Sequence, residues 1–345
     1  MMCSKLLQKI WGSGNTVAGG NVTVTYNNSV IPPQRLEELA GKLAVTDSAL
    51  ASFFRIMEEQ QVPLGDLDSK LREIATQYKE LRARLENVQS ADPEVQRLKA
   101  EAKQAIEAGD YAKAEKLLDE AEARDVQAFE QLEANAKSDM EAAQKRRISA
   151  AATNADQARL QRVQLRYAKA AAYWQKAAAL LPDDKQQERS LYLHSAGYDL
   201  DRIAKYKEAL ALYEQSLNIR QEIGFKAGEA ATLNNISQIY DAKGDYATAL
   251  KYLEQSLRIS RNIDDKEVEG ATLNNIGLSH QARGDYPAAL EYLEQSLSIS
   301  REIGDKAGEG TTLNNISQIY DARGDYAAAL KYLEQSLSIR REIGD

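Results

Sequence analysis

Three pairs of adjacent asparagines, Asn234-Asn235, Asn274-Asn275 and Asn314-Asn315, recur at a step of 40 residues. An asparagine side chain has both donors and an acceptor, so a row of them can hold the main chain of an extended peptide whatever its side chains. Helix propensity gives no reason for amides at these places. One or two turns further on, the same step places Gln238, Asp241, Leu278, Gln281, Gln318 and Asp321. Asp241 and Asp321 make such a face mildly acidic, which suits a ligand with basic or amphipathic residues. A second reading stays open, in which one amide of each pair bonds a neighbouring helix instead.

Groups that could do covalent or metal chemistry are scarce. His194 and His280 are the only histidines, and His280 stands where Tyr240 and Tyr320 stand in the flanking repeats, which makes it a packing residue. Asp264-Asp265 falls in an expected loop without a histidine partner and reads as solvated surface. Gly12, Gly14, Gly19 and Gly20 are followed by no Gly-Lys-Ser/Thr, so they suit a flexible linker better than a phosphate cradle. Cys3 is the only cysteine, which leaves no intramolecular disulfide and no cysteine-based zinc site. No catalytic residue, metal or cofactor is therefore expected, and the chain does not read as an enzyme.

Charge and hydrophobicity narrow the partners further. Acidic residues outnumber basic ones by 52 to 44, giving a formal charge of −8, which opposes binding to a phosphate backbone. The start, MMCSKLLQKIWGSG, has a short apolar patch of Leu6, Leu7, Ile10 and Trp11. That is far below the roughly 18 apolar residues of a membrane span. No signal peptide is read. Cys3 beside the patch offers an acylation site, but a plain thiol is the preferred reading, with a cytoplasmic location and no membrane attachment.

The elements that must position the asparagines follow from repetition. Residues 226–265, 266–305 and 306–345 are near copies, and Tyr206, Tyr246, Tyr286 and Tyr326 keep the 40-residue step. In each unit one apolar stripe, such as Leu233, Ile236, Ser237 and Tyr240, has helical spacing; a second follows in Tyr246, Ala249, Leu250, Leu253 and Leu257. Gly244 ends the first helix and Asp245 caps the next, while Pro287 fits a first helical turn. Small residues, Ser237, Gly277 and Ser317 facing Ala249, Ala289 and Ala329, mark where the paired helices must approach closely. One pair cannot bury both stripes, so units must stack into a solenoid.

At these residues the chain resembles the tetratricopeptide repeat family. Leu233, Ile236, Ser237, Tyr240, Gly244, Tyr246, Ala249, Leu253 and Ser256 occupy its pattern, although the usual closing proline is absent. The unit exceeds the common length of about 34 residues, a form similar to repeats of Pins-type scaffolds and kinesin light chains. The resemblance implies an all-α fold, a right-handed alpha-alpha superhelix, with protein or peptide recognition on its concave face. In Pins-type relatives asparagines at corresponding places contact ligand backbone. The implied site is Asn234, Asn235, Gln238, Asp241, Asn274, Asn275, Leu278, Gln281, Asn314, Asn315, Gln318 and Asp321.

Four such units are read at 186–225, 226–265, 266–305 and 306–345, with divergent repeat-like helices over 92–185. There Asp92-Pro93 caps one helix, Gly109-Asp110-Tyr111 opens another, and Tyr167, Ala170, Trp174 and Ala177 line a third. The stretch 126–166 reads as long helix with a break near Thr153-Asn154. Residues 33–91 form a helical region in which Leu67, Leu71, Ile74, Tyr78, Leu81, Leu85 and Val88 make a heptad seam, favoured as an antiparallel pair over a coiled-coil dimer. Residues 1–32 form a tail in which Val22, Val24 and Tyr26 alternate like a short strand, either mobile or paired with another chain.

The function that emerges is a scaffold or adaptor binding an extended peptide or partner protein. Two alternatives remain. One is a sensing arm of a bacterial signalling or defence-like system acting with a separate effector, which rests on analogy. The other is self-assembly, through the N-terminal region or a last repeat that ends without a polar cap; equally, the natural chain continues past Asp345.

Overall fold

The computed structural model describes residues 33–63, 66–87, 90, 92–134 and 140–343, with residues 17–18, 21–22, 24–26 and 29–31. Cys3, the apolar patch from Leu6 to Trp11, the glycines at 12, 14, 19 and 20, and Val88 lie outside them. The chain divides into two compact units, Met1–Ile203 and Ala204–Asp345. Apart from two short hairpins, every regular element described is helical. No helix among the described residues is long and apolar enough to cross a membrane.

In the first unit, β1 (Val17–Ala18) pairs with β2 (Asn21–Val22), and β3 (Val24–Tyr26) pairs antiparallel with β4 (Ser29–Ile31). Of the residues expected in one strand, Val22 lies in β2 and Val24 and Tyr26 in β3, and each strand pairs within the chain. Eight helices follow: α1 (Pro33–Leu43), α2 (Asp47–Glu59), α3 (Leu67–Glu86), α4 (Pro93–Glu107), α5 (Tyr111–Ala134), α6 (Met140–Val163), α7 (Tyr167–Leu180) and α8 (Gln186–Asp201). Thr46 and Asp92 cap α2 and α4 by accepting from Ala49 and Glu94 backbone N–H groups. The heptad seam of α3 is buried in the unit's own core with Phe53, Phe54 and Met57 of α2, and Phe53 meets Tyr78 edge-on at 5.5 Å.

Helix α6 departs from the sequence expectation. No break occurs at Thr153-Asn154; both are fully buried in mid-helix. The helix shows no apolar stripe because its neighbours meet it with polar groups. Asn154 donates to Glu122, Gln157 donates to the Glu115 carbonyl at 3.0 Å and to Asp119, and Asp156 pairs with Arg84 of α3 and lies 3.8 Å from Lys99 of α4. Arg162 bonds both carboxylate oxygens of Asp199 at 2.7 and 2.9 Å, reaches the Ser195 carbonyl, and lies over the Trp174 ring.

The second unit repeats one hairpin. Helix α9 (Tyr206–Glu222) precedes the pairs α10 (Lys226–Ala242) with α11 (Tyr246–Asn262), α12 (Lys266–Ala282) with α13 (Tyr286–Glu302), and α14 (Lys306–Ala322) with α15 (Tyr326–Glu342). Gly244, Gly284 and Gly324 leave each first helix at φ of +77°, +78° and +77°, a region that penalises a Cβ. Asp245, Asp285 and Asp325 then cap the second helix. Leu233, Leu273 and Leu313 are no more than 1% exposed. His280 stacks on Tyr292 as Tyr240 does on Tyr252 and Tyr320 on Tyr332, so it keeps the packing role of the tyrosine it replaces.

Two outcomes test this packing. A Cβ on Gly277 would lie 2.7 Å from Leu293 Cγ and 3.1 Å from the Ala289 carbonyl. Gly277→Ser should therefore destabilise by about 1–3 kcal/mol, although serine occupies the matching positions 237 and 317; a denaturant midpoint unchanged from the parent refutes the close approach. In the first unit, burial pushes the Asp199 carboxyl up to about 6 against the pull of Arg162. The fold thus holds that proton more tightly than the unfolded chain does, and the cost of ionising Asp199 grows as pH rises towards 6. Arg162→Met should cost about 3–5 kcal/mol at pH 8, and less at pH 5 where the carboxyl is neutral. Equal losses at both pH values in urea titrations would show that Asp199 is not the cause.

Candidate functional site

The first helices of the hairpins, α10, α12 and α14, lie side by side, and their asparagines form a ladder between them. Asn275 Nδ2 donates to Asn234 Oδ1 at 3.1 Å, and Asn315 Nδ2 donates to Asn274 Oδ1 at 2.9 Å. Asn274 Nδ2 reaches Asn275 Oδ1 at 3.4 Å, a long link inside one pair. Of the two readings open in the sequence, bonding between neighbouring helices is the one the geometry realises for Asn275 and Asn315. The first member of each pair, Asn234, Asn274 and Asn314, stays half-exposed, whereas Asn315 is buried.

A cavity of about 330 Å³ opens beside this ladder. Asn234, Gln238, Asn274 and Asn275 line it from α10 and α12; Ile299 and Ile303 come from the end of α13, and Gly308 and Thr311 from the start of α14. It gathers four of the expected site residues. Asn235, Asp241, Leu278, Gln281, Asn314, Asn315, Gln318 and Asp321 are not among its lining residues. Gln238, Gln318 and Asp321 are exposed, and Leu278 and Gln281 half-buried. Asp241 is half-buried and accepts from Ser279 Oγ at 2.8 and 2.9 Å; burial raises its carboxyl above the ordinary range while the serine bond pulls it down.

The apolar wall was missed in the sequence. Ile223, Ile263, Ile303 and Ile343 are each about 40% exposed and follow the second helix of successive hairpins. Their common 40-residue step was visible, but each stands in a short loop motif that reads locally as a connection.

Those connections are held by a repeated ion triad. Glu269 is 5% exposed and takes Arg261 at 2.8 Å and Lys266 at 3.0 Å; Glu309 takes Arg301 at 2.7 Å and Lys306 at 3.4 Å. Burial alone would raise both carboxyls, but the bonded cations outweigh it and hold them below the usual carboxylate range. Deeper in the stack, Ser256 Oγ donates to the Ala230 carbonyl at 2.9 Å and lies 3.1 Å from Thr272 Oγ1; Ser296, Gly270 and Thr312 repeat the arrangement. Successive hairpins are therefore joined by side-chain bonds at several depths, which fixes the spacing of the amides on the open face.

The fold and this face define a helical repeat protein in which identical hairpins present one shared surface. A tetratricopeptide repeat family model matches residues 202–262 and 269–342, and that part of the chain is built of tetratricopeptide repeats. No curated protein sequence matches it. Among solved structures, aspartyl phosphate phosphatase F from Bacillus subtilis is similar at 13% identity and TM-score 0.56, covering 96% of this chain and 78% of that one. BtubC from P. vanneervenii is similar at 20% identity and TM-score 0.52, covering 66% and 92%. A Rap protein complexed with Competence and Sporulation Factor is similar at 15% identity and TM-score 0.52, covering 90% and 78%. At these identities the likeness is one of fold.

If the ladder joins helices, its members should differ in their effect on stability. Asn275→Ala removes one amide bonded on both sides and should cost about 1 kcal/mol or more. Asn314→Ala removes an amide that takes part in no such link among the described residues, and should leave the melting temperature within about a degree of the parent. Equal destabilisation by the two would refute a stacking role for the ladder.

Proposed function

We propose that this chain is a protein-interaction scaffold whose second unit receives a segment of a partner protein in the groove formed by α10, α12 and α14. The observation that carries this reading is the cavity of about 330 Å³, where exposed or half-exposed amides of Asn234, Gln238 and Asn274 face the aliphatic Ile299 and Ile303. A site of this kind takes apolar side chains against its floor and orients them by hydrogen bonds at its rim. The likeness in fold to a Rap protein complexed with Competence and Sporulation Factor supports the reading. The expected site residues Asp241 and Asp321, carried by α10 and α14, favour a basic partner segment. The excess of acidic residues disfavours a nucleic acid in the same groove.

The test fills the cavity. Asn274→Trp should abolish capture of partner proteins from a native extract while far-ultraviolet circular dichroism stays at the parent's value. Equal recovery of the same partners by parent and variant would sink the assignment of the groove.

A further inference from the structure

The contact between α5 and α6 in the first unit corresponds to the apolar seams of the second but is filled with polar groups. Aligning Tyr111 with Tyr246 puts Glu115, Leu118 and Glu122 at the positions of Leu250, Leu253 and Leu257. Aligning Tyr167 with Tyr286 puts Asn154, Gln157 and Gln161 at those of Leu273, Ile276 and His280. In the second unit Leu253 and Leu257 share one core layer with Leu273 and Ile276. In the first, Asn154 Nδ2 donates to Glu122 Oε1 at 2.8 Å, and Gln157 Nε2 donates to the Glu115 carbonyl at 3.0 Å and to the Asp119 carboxylate. Tyr173 of α7, at the position of Tyr292, donates to Asp119 at 3.3 Å.

Two shortages mark this layer. The first is of positive charge. Glu115 has Arg166 and Lys169 within 4 Å, whereas Asp119 and Glu122 meet no cation at that distance among the described residues. Partial burial raises the Asp119 carboxyl above its ordinary range; the bond from Tyr173 opposes this, and Glu115 and Glu122 add to it. The second shortage is of donors. Asn154, Gln157 and Gln161 are fully buried, yet among the described residues Asn154 Oδ1, Gln157 Oε1 and both polar atoms of Gln161 have no hydrogen-bond partner. Buried polar atoms left in that state are strongly disfavoured, and the leucine and isoleucine of the second unit would avoid the cost.

Water would satisfy the amide oxygens but leave two acids without a counter-charge. A divalent cation meets both needs. A half-turn of the Asn154 and Gln157 amides exchanges nitrogen for oxygen beside the two carboxylates. Among the described residues no three Asp, Glu, His or Cys side chains come together as a metal site, so amide oxygens must complete the set. A ligand set of carboxylate and amide oxygens suits calcium, which tolerates irregular geometry, better than zinc. Asp119 is exposed and gives the ion its way in. We propose that the α5/α6 seam is a calcium site in which Asp119 and Glu122 supply the charge and Asn154 and Gln157 the amide oxygens.

The full chain, stripped with a chelator, is titrated with calcium by calorimetry and with terbium, whose emission a neighbouring tyrosine sensitises. One calcium should bind, and sensitised terbium emission should be displaced by calcium and largely lost in Tyr173→Phe. Asp119→Asn with Glu122→Gln, which keeps side-chain size, should weaken calcium at least about tenfold. Glu122→Leu with Asn154→Leu and Gln157→Ile, which installs the residues of the second unit, should bind no calcium and unfold at a denaturant midpoint no lower than that of the chelated parent. Absence of both calcium heat and sensitised emission, with calcium up to about 10 mM, would overturn the proposal. So would calcium binding that both sets of substitutions leave unchanged.

Discussion

The apolar seam between one hairpin's second helix and the next hairpin's first helix is the contact on which the repeat unit depends. Leu253 and Leu257 meet Leu273 and Ile276 in one layer; Leu293 and Leu297 meet Leu313 and Ile316 in the next. No hairpin can bury its own second-helix stripe, so order in each one requires its neighbour. Every other feature of the second unit is set by this seam. The triads at Glu269 and Glu309 hold the short connections beside it, the serine-threonine contacts fix its depth, and the amide ladder links the first helices. Because the layers repeat, the residues at the outer edge repeat too, and a surface that looks polar in sequence becomes a groove with an aliphatic wall.

The first unit obtains similar order by different means. Its opening helices share an ordinary apolar core running from Leu36 to Leu165. Around α6 the contacts change to carboxylates, guanidinium groups and amides, with Thr153, Asn154, Asp156, Gln157 and Gln161 all fully buried. Buried ions of this kind contribute little net stability, but each is strongly disfavoured without its partner, so they specify one arrangement of helices.

How legible each part was follows from that difference. The hairpins from Lys226 onward could be read to their caps, because apolar stripes at helical spacing, Gly244 and Asp245 recur unchanged. The heptad line of α3 was visible as well, and its burial within the chain follows from the apolar faces around it. Helix α6 hid its boundaries because a face buried against charged neighbours leaves no apolar period to detect. Of the twelve expected site residues, four share one cavity. Asn234, Gln238, Asn274 and Asn275 do converge on one cavity, but the pairing of Asn275 with Asn234 depends on how closely two helices approach, which spacing along one chain does not reveal. The isoleucines went unread because exposure is a property of the stack, and no single loop records it.

The bond between Arg84 and Asp156 joins residues 72 positions apart, and that span limits where the protein can be cut. A fragment beginning at α4 would keep both helices of the α6/α7 hairpin yet take the bonded arginine from a fully buried acid, leaving Lys99 and Arg159, each at 3.8 Å, as its nearest cations. Such a piece would have its full complement of repeat helices and still be poorly soluble. Division after Ile203 severs none of these links, so the natural seam for dissecting the molecule lies among helices that look alike, well past the point where the repeats seem to begin.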